Sequence, residues 1–334
     1  MMEVEEGPLG PAGLGPPGAN EGPHFRPTGF YSQFFSSFQG AISHAETAFV
    51  REGVACGVRG DGRGRAELRP RVLAVDLLPF SCSSAAIQTE ENTVIATVDA
   101  DVILPGGGGN QEPYSVSVGC GAAEQELADV TGGDGSSLSS LLQAMLEQLL
   151  LPHLKPLTDP NGRLQWRISI DVIVLRAGGC LLDAVSLAIW GALKALKLPN
   201  VMVEEEDEKD QGLAITEYKV SCDERIAAGA PYPIDTVPIL ITAAQIGDTY
   251  VWDLTEIEAT CGDSFLVAAF LPSGACVGLQ KFGHVLADCR TLQTTLTTSQ
   301  RLSREILEDL QRQAEMKKSR LNGNLDSFLS LASL

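Results

Sequence analysis

The densest group of chemically active side chains in this sequence is a run of arginines. Five of them fall within 13 residues: Arg59, Arg63, Arg65, Arg69 and Arg71. Guanidinium groups gathered in this way can bind phosphate or carboxylate through paired hydrogen bonds. Two interpretations follow, contact with RNA or structural ion pairing. In the second, the arginines pair with Asp61 and Glu67 of the same stretch or with acidic neighbouring subunits.

The charge of the whole chain favours ion pairing over a free-standing nucleic-acid site. The 334 residues include 24 Lys and Arg against 43 Asp and Glu, which gives a net charge of −19. A surface this acidic repels phosphate unless basic residues are gathered locally. The composition therefore argues against a protein that binds nucleic acid alone, and a hydrophobic content of 44% excludes a wholly disordered chain.

Two pairs of aspartates are candidates for metal binding or acid–base chemistry. Asp99 and Asp101 lie two apart on a predicted strand and share a face, where a solvated position is the simpler interpretation. Asp171 and Asp183 flank a pair of glycines that follows a long predicted strand, and they are the stronger candidates. Their alternative is a buried carboxylate that is satisfied by backbone donors.

A glycine-rich stretch, GGDGSS at 132–137, has the composition of a phosphate-binding loop. Its glycines leave backbone N–H groups free, and a predicted helix follows it. However, Asp134 brings negative charge into the stretch, and no Lys or Arg lies between Glu112 and His153. A loop that caps the following helix through one of its serines is therefore the favoured interpretation.

The histidines and cysteines form no recognisable metal or nucleophile pattern. The four histidines are scattered, and no HExxH, GxSxG or P-loop motif occurs. The eight cysteines include no CxxC pair, so zinc-ribbon spacing is missing and we expect no metal or organic cofactor. Cys82, Cys180 and Cys276 lie in apolar runs and are predicted to be buried free thiols.

The first half of the chain carries strand patterns followed by a helix. Segments rich in β-branched residues predict an antiparallel meander between Arg71 and Leu104. A hairpin tip at 106–109 then leads to a further strand. Leucines at helical spacing predict a helix that starts at Ser136 or Ser137 and stops at Pro152.

The second half repeats this order of elements. A long strand leads through the two glycines into a buried helix, and an acidic loop is predicted at 204–210. Two hairpins with turns at IGD and PSG follow, and an amphipathic helix from Leu286 to about Lys318 closes the domain. The pattern indicates an α+β fold with a repeated half.

Composition divides the chain into three parts. Residues 1–43 form a Gly/Pro-rich mobile arm with an aromatic segment from Phe30 onward, which docks on the domain or a partner, or stays partly disordered. Residues 44–320 form the folded domain, and residues 321–334 form a tail. No apolar stretch reaches the roughly 20 residues needed to cross a bilayer, and the acidic N-terminus lacks signal-peptide features. We therefore expect an intracellular protein without a membrane partner.

Four motifs in a fixed order resemble the hallmarks of the RNase PH family. They are DGRGRAELRP (61–70), ENTVIATV (91–98), SIDVIVLRAGGCLLDAVSLAIWGAL (169–193) and VWDLTEIE (251–258). The likeness covers roughly residues 46–318 and is strongest to ring subunits of the eukaryotic RNA exosome. It implies an RNase PH fold, similar to domain 2 of ribosomal protein S5, with two βαβα-like halves in one domain.

The resemblance also implies a function and partners. A non-catalytic structural subunit of this kind forms a hetero-hexameric ring with other RNase PH-like exosome subunits, and S1/KH cap subunits sit on that ring. The ring guides single-stranded RNA through its channel to an associated catalytic nuclease. That nuclease carries out 3′-to-5′ processing and degradation, including rRNA maturation. The implied locations are the nucleus, the nucleolus and the cytoplasm.

The active centre that the family places after the long strand is degenerate in this chain. Catalytic members of the family carry a DGGTR-like stretch there, and this chain has Ala177, Gly178, Gly179, Cys180 and Leu181. An alanine thus replaces the carboxylate and apolar residues replace the Thr-Arg pair, so the resemblance implies no catalytic residue. Glu91 is a further departure, because the family often has glycine at that position.

Two other functions stay open. A phosphorolytic 3′-to-5′ exoribonuclease would act with a partner subunit and use Arg63 and Arg65 for RNA or phosphate, although the alanine at position 177 argues against it. An acidic adaptor that binds proteins without forming a ring would need the aromatic segment as its main contact. Deletion of residues 1–43 separates the adaptor from the ring subunit, because ring assembly is expected to survive the deletion.

Overall fold

The structure is a computed structural model that describes residues 42–103, 112–121, 136–158, 165–198, 201–208, 215–222, 230–283 and 288–318. The predicted hairpin tip at 106–109 and the predicted tail lie outside the described residues. So do nearly all of the predicted arm and most of the glycine-rich stretch. The domain boundaries at 43 and 320 therefore stay predictions.

The described residues form five α-helices and thirteen strands. The helices are α1 (His44–Ala55), α2 (Ser136–Leu149), α3 (Leu181–Ala195), α4 (Glu256–Thr260) and α5 (Cys289–Lys318). The strands of the first half are β1 (Val72–Val75), β2 (Ser83–Gln88), β3 (Thr93–Ile103), β4 (Tyr114–Gly119) and β5 (Gln165–Arg176). The remaining strands are β6 (Lys197–Leu198), β7 (Val201–Glu208), β8 (Ile215–Cys222), β9 (Ala230–Pro231), β10 (Ile239–Ile246), β11 (Thr249–Trp252), β12 (Ser264–Phe270) and β13 (Cys276–Gly283).

The first sheet has five strands in the order β1-β2-β3-β5-β4. Strands β1 to β3 form the predicted antiparallel meander. Alternate residues of β3 and β5 point into the core, as the period of two requires. On β5 these are Ile168, Ile170, Val172 and Val174.

The partner of β4 differs from the sequence-based expectation. The predicted hairpin tip at 106–109 implied that β4 would pair with β3. Instead, β5 lies between them, antiparallel to β3 and parallel to β4. The long β3 and β5 pair over almost their whole length, from Thr93 opposite Arg176 to Ile103 opposite Gln165. This pairing leaves β4 only the outer edge of β5.

Helix α3 lies between the two main sheets. It contacts β1, β2 and β3 on one side and β10 on the other. Every residue from Ala184 to Leu193 is buried, and this explains why the sequence reads as apolar on all faces of the helix. A Cβ atom at Gly191 would lie 2.7 Å from Leu73 Cδ1, so glycine permits this close approach to the first sheet.

The second sheet has four antiparallel strands in the order β11-β10-β12-β13. The two predicted hairpins are confirmed, with turns at Gly247 and Gly274. Both glycines have a positive φ, at 62° and 86°, which accounts for glycine in these turns. Helix α5 packs on β1, β10 and β12 and so joins the two sheets.

The predicted acidic loop at 204–210 is wrong for its described part. Residues 204–208 belong to β7, which pairs with β8 as a separate antiparallel hairpin. The run of charges was interpreted as a loop because such runs are usually solvated, whereas the backbone of these residues pairs with β8. The predicted helices at 136–152 and 286–318 are confirmed as α2 and α5, to within a few residues at their ends.

The cysteine prediction holds for only some positions. Cys180 is buried, as expected, and so are Cys120 and Cys261. Cys82 and Cys276 are exposed: Cys82 lies in the bend directly before β2, and Cys276 is the first residue of β13. In the part of the chain that the structure describes, no helix is both long enough and apolar enough to cross a bilayer.

Candidate functional site

Arg59 is bound within the chain by a buried carboxylate. Its guanidinium group pairs with Glu258 of α4, with 2.8 Å between Arg59 Nε and Glu258 Oε1, and Nη2 also contacts Oε2. The side chain of Arg59 is 0% exposed. Its nitrogens also donate to the backbone carbonyl groups of Trp252, Asp253 and Gly64. All of its nitrogens therefore have acceptors within the fold.

Asp253 brings three more arginines to the end of β11. Arg69 donates to Asp253 Oδ1 through Nε and Nη2 at 3.1 and 2.9 Å, and its backbone N–H group donates to Oδ2. Arg63 Nη1 lies 3.2 Å from Asp253 Oδ2, and Arg71 Nη2 lies 3.9 Å from the same atom. Asp253 has a φ of 49°, a conformation that is uncommon outside glycine. Backbone strain is thus held where the arginines converge.

The remaining contacts separate Arg65 from the other arginines. Arg63 also pairs with Asp61, and Glu67 accepts from the backbone N–H group of Gly64. Arg65 is exposed, and its Nη2 reaches only the carbonyl of Ala55 at 3.3 Å. Three of the five arginines, Arg59, Arg63 and Arg69, therefore pair closely with carboxylates of this chain, and contact with RNA stays a prediction for the cluster.

The Gly178-Gly179 corner is closed by residues of the turn between β2 and β3. The N–H group of Gly178 donates to Asn92 Oδ1 at 2.7 Å, and that of Gly179 donates to Glu91 Oε2 at 3.2 Å. A Cβ atom at Gly179 would lie 2.3 Å from the carbonyl oxygen of Leu254. The glycines are thus required by close packing against two neighbouring segments.

The residues on either side of the two glycines also have structural partners. Ala177 packs on the core, and Leu181 is buried at the start of α3. Cys180 accepts a hydrogen bond from the backbone N–H group of Leu254 through its sulfur atom. Complete burial raises the pKa of the Cys180 thiol well above its ordinary value. Cys180 is therefore a neutral thiol that joins the corner to the β11–α4 segment.

Asp183 is a partly buried carboxylate in the first turn of α3. The backbone N–H group of Thr242 donates to its Oδ2 at 3.0 Å, and the Thr242 hydroxyl group donates to its Oδ1. Burial raises the pKa of Asp183 to about 7, although these two hydrogen bonds oppose the shift. The structure agrees only in part with the alternative of a buried carboxylate satisfied by backbone donors, because Asp183 is partly buried and has one backbone donor and one hydroxyl donor.

The other candidate carboxylates lie on the opposite, solvated face of the first sheet. Asp101 pairs with Arg167, Asp99 accepts from the backbone of Cys82, and Asp171 accepts from the hydroxyl group of Ser117. Asp171 is therefore not brought together with Asp183. In the described ranges, no group of three or more His, Cys, Asp or Glu side chains could hold a metal ion.

A small cavity of about 30 Å³, lined by both apolar and polar residues, lies between Asp183 and the arginine cluster. Its lining includes Arg71, Asn92, Cys180, Asp183 and Asp253. A cavity of this size holds one or two water molecules and no substrate. Burial lowers the pKa of Arg71, which makes no close ion pair here. The interior of the corner can therefore position water, and it cannot take a nucleotide.

Sequence reasoning missed the residues that hold the arginines in place. Glu91, Asp253 and Glu258 each supply a carboxylate to this network, and none was singled out as a site residue. Two signals were present, because VWDLTEIE contains both Asp253 and Glu258 and because Glu91 departs from the family pattern. The pairs Arg59–Glu258 and Arg69–Asp253 each join residues about 190 positions apart, so local spacing could not reveal them.

Comparison with known proteins places the chain in one family. Residues 67–199 match domain 1 and residues 236–300 match domain 2 of the 3′ exoribonuclease family, named RNase PH, which together cover more than half of the chain. A Dictyostelium discoideum protein named putative exosome complex exonuclease RRP42 is 24% identical, over 80% of this chain and 95% of its own length. The exosome complex component Rrp42 of Sulfurisphaera tokodaii is 26% identical, over 78% of this chain and 91% of its own.

Solved structures agree with this fold. A chain of an archaeal exosome core superposes with a TM-score of 0.58 at 20% identity, and the match covers 80% of this chain and 96% of the other. A chain of an Archaeoglobus fulgidus exosome with RNA bound to the active site gives the same TM-score over 79% of this chain. The matched domains, the order of the four motifs and the two sheets around α3 lead to one conclusion: the chain belongs to the 3′ exoribonuclease, or RNase PH, family.

Proposed function

We propose that this chain is a non-catalytic structural subunit of the RNA exosome core. The observation that carries the proposal is the extent of the likeness to relatives named as exosome component Rrp42, which reaches across both halves of the domain. As such a subunit, the chain takes one position in a hetero-hexameric ring of RNase PH-like proteins. It thereby shapes a channel for RNA in 3′-to-5′ processing and degradation.

The contacts at the Gly178-Gly179 corner support the absence of catalysis. Phosphorolysis needs groups that hold phosphate and stabilise charge on the reacting oxygens. At this corner an alanine and an inert thiol flank the glycines, and the nearest carboxylates and guanidinium groups bind one another. Groups that are already paired in this way are not free to act on a substrate.

The partners and locations follow from the same proposal. The ring carries S1/KH cap subunits, and an associated catalytic nuclease receives single-stranded RNA from the channel. We propose that the complex occurs in the nucleus, the nucleolus and the cytoplasm. The net charge of −19 supports a ring member over a lone RNA binder, because partners supply the positive charge that a channel for RNA needs.

The decisive experiment is native mass spectrometry of the tagged full chain, purified gently from its own cells. A discrete assembly that contains several other RNase PH-like proteins and S1-domain proteins is the expected result. A lone chain or a simple homo-oligomer would contradict the proposal. Deletion of residues 1–43 leaves the assembly intact if the ring is formed by the folded domain, and it abolishes binding if the chain is an adaptor.

Arg65 is the residue of the arginine cluster best suited to a test of RNA contact. It is exposed and has no carboxylate partner among the described residues, whereas Arg63 also holds Asp253. Arg65→Glu in the assembled ring is expected to reduce crosslinking to single-stranded RNA several-fold. Arg301→Glu, on the exposed side of α5, is the matched control. Unchanged crosslinking with Arg65→Glu would remove this residue from the RNA path.

A phosphorolytic exoribonuclease that acts with a partner subunit is the second candidate. The family description and the relative named as a putative exonuclease favour it. The two candidates differ in one measurement, the phosphate-dependent shortening of a labelled RNA by the chain together with each ring neighbour. Loss of that activity on mutation of this chain's corner, with the neighbour's own site intact, would favour the second candidate.

A further inference from the structure

One carboxylate oxygen occupies the point where the donors of the corner converge. Glu91 Oε2 accepts from the N–H group of Gly179 at 3.2 Å and lies 2.9 Å from Arg69 Nη1. Helix α3, which is 15 residues long, begins two residues after Gly179, so its N-terminal dipole adds positive potential at the same place. A backbone N–H group, a guanidinium group and a helix N-terminus together favour a bound oxyanion.

Arg69 has one nitrogen that its other partners do not use. Nε and Nη2 donate to Asp253, and Nη2 also donates to the carbonyl of Leu254. Nη1 is fully buried, and no acceptor among the described residues meets it with hydrogen-bond geometry, although Glu91 is close enough for an ion pair. The side chain of Arg69 is 4% exposed. A buried donor is therefore aimed at the position of the Glu91 carboxylate without an ideal acceptor.

The stem of Glu91 fills the space beside the glycines and borders the solvent. A Cβ atom at Gly178 would lie 2.5 Å from Glu91 Cβ, so the two segments touch. The Glu91 side chain is 21% exposed. A small anion from solvent can therefore reach the position of its carboxylate once that side chain has been truncated. Asn92 remains to hold the N–H group of Gly178 in that case.

We propose that Glu91 is an internal anion that occupies an oxyanion site, formed by the Gly179 N–H group and the Arg69 guanidinium group, and that it excludes inorganic phosphate from the corner. Removal of this carboxylate leaves two charge-complementary donors next to an opening of the size of the lost side chain. Inorganic phosphate supplies the tetrahedral oxygens that such donors bind. The idea deepens the proposed absence of catalysis and rests on it, because it names the residue that keeps phosphate out.

Phosphate binding by the full-length Glu91→Ala chain, without RNA or ring partners, tests the proposal. Isothermal titration with inorganic phosphate is expected to show saturable binding at least about tenfold tighter than for the unaltered chain. A saturating concentration is expected to raise the midpoint of thermal unfolding by about 2–4 °C over sodium chloride of equal ionic strength. Glu90→Ala removes the same charge one residue away, from an exposed side chain, and is expected to gain nothing.

The result that overturns the proposal is a folded Glu91→Ala chain that binds phosphate no better than the unaltered one. An equal gain with Glu90→Ala also overturns it, because the effect would then reflect general charge. If Glu91→Ala does not fold, Glu91→Ser also vacates the position of the carboxylate while keeping a polar side chain at the border with solvent, and it is held to the same criterion. Since no RNA is present, these outcomes are independent of whether the chain assembles into a ring or degrades RNA.

Discussion

Arg59 is buried and Asp183 is partly buried, and the fold compensates their charges in different ways. Arg59 is matched by the opposite charge of Glu258 and by three carbonyl groups. Asp183 receives two hydrogen bonds from Thr242 and, among the described residues, has no cation within ion-pair distance. Burial therefore raises the pKa of Asp183 to about 7. The two hydrogen bonds to Asp183 thus do not offset the cost of removing its charge from water. The ion pair with Glu258, by contrast, keeps Arg59 charged.

The largest loss of stability is expected when Arg59 loses its carboxylate partner, Glu258. Glu258→Ala leaves the Arg59 guanidinium buried without a counter-charge and is expected to lower the free energy of unfolding by about 3–5 kcal/mol. Urea unfolding followed by tryptophan fluorescence measures this cost. Glu256→Ala, an exposed position of the same short helix, is the control and is expected to change stability by less than about 0.5 kcal/mol.

A double variant sharpens the comparison. Replacement of both partners, Arg59→Met with Glu258→Leu, removes both charges and their desolvation, so much of the loss is expected to be recovered. A cost of less than about 1 kcal/mol for Glu258→Ala alone would show that water reaches Arg59 and that the pair is not desolvated.

The second effect is a pH dependence from Asp183. Its folded-state pKa of about 7 exceeds the ordinary value of 3.8, so between these values the folded chain keeps a proton that the unfolded chain has lost. Unfolding then releases a proton, and stability falls as the pH rises through this window. Asp183→Asn removes the titration. The variant is therefore expected to gain about 3 kcal/mol relative to the unaltered chain between about pH 4.5 and 7.5.

Urea unfolding at a series of pH values measures this difference. Asp171→Asn changes an exposed carboxylate on β5 and is expected to leave the pH profile unchanged. A constant difference between Asp183→Asn and the unaltered chain across the series would mean that Asp183 titrates normally and that water or Arg71 compensates its charge in the small cavity.

The smallest expected effect is a difference in stability between variants of two neighbouring arginines, Arg63 and Arg65. Arg63→Ala breaks contacts to Asp61 and Asp253 on a side chain that is 12% exposed, and it is expected to cost about 1–2 kcal/mol. Arg65→Ala loses one long contact on an exposed side chain and is expected to cost less than about 0.5 kcal/mol. Equal costs in urea unfolding would mean that the cluster acts as one unit and would contradict this distinction.

Local patterns predicted the elements well where packing agrees with them. The buried face of α2, the apolar α3 and the two hairpins of the second sheet follow directly from periodicity and from glycine in the turns. The acidic strand β7 was interpreted as a loop because runs of charge are usually solvated, and its pairing with β8 is not visible in local composition.

Pairings between distant residues were beyond local reasoning. The insertion of β5 between β3 and β4 joins residues about 70 positions apart, and nothing in the intervening sequence specifies which strand takes the edge. The carboxylates that hold the arginines lie farther away still. Net charge favoured ion pairing for the arginines, and the structure shows such pairs, but the partners Asp253 and Glu258 could be identified only from the fold.

The distance along the chain between the arginines and their acceptors has a consequence for synthesis. Glu258 follows Arg59 by 199 residues, and Asp253 follows Arg69 by 184 residues. At about 5–20 residues per second, a ribosome adds the acceptors about 10–40 s after the arginines. During that time the first sheet cannot enclose these guanidinium groups without an uncompensated charge. Completion of the N-terminal half is therefore expected to wait for β11 and α4, so that the two halves fold as one unit.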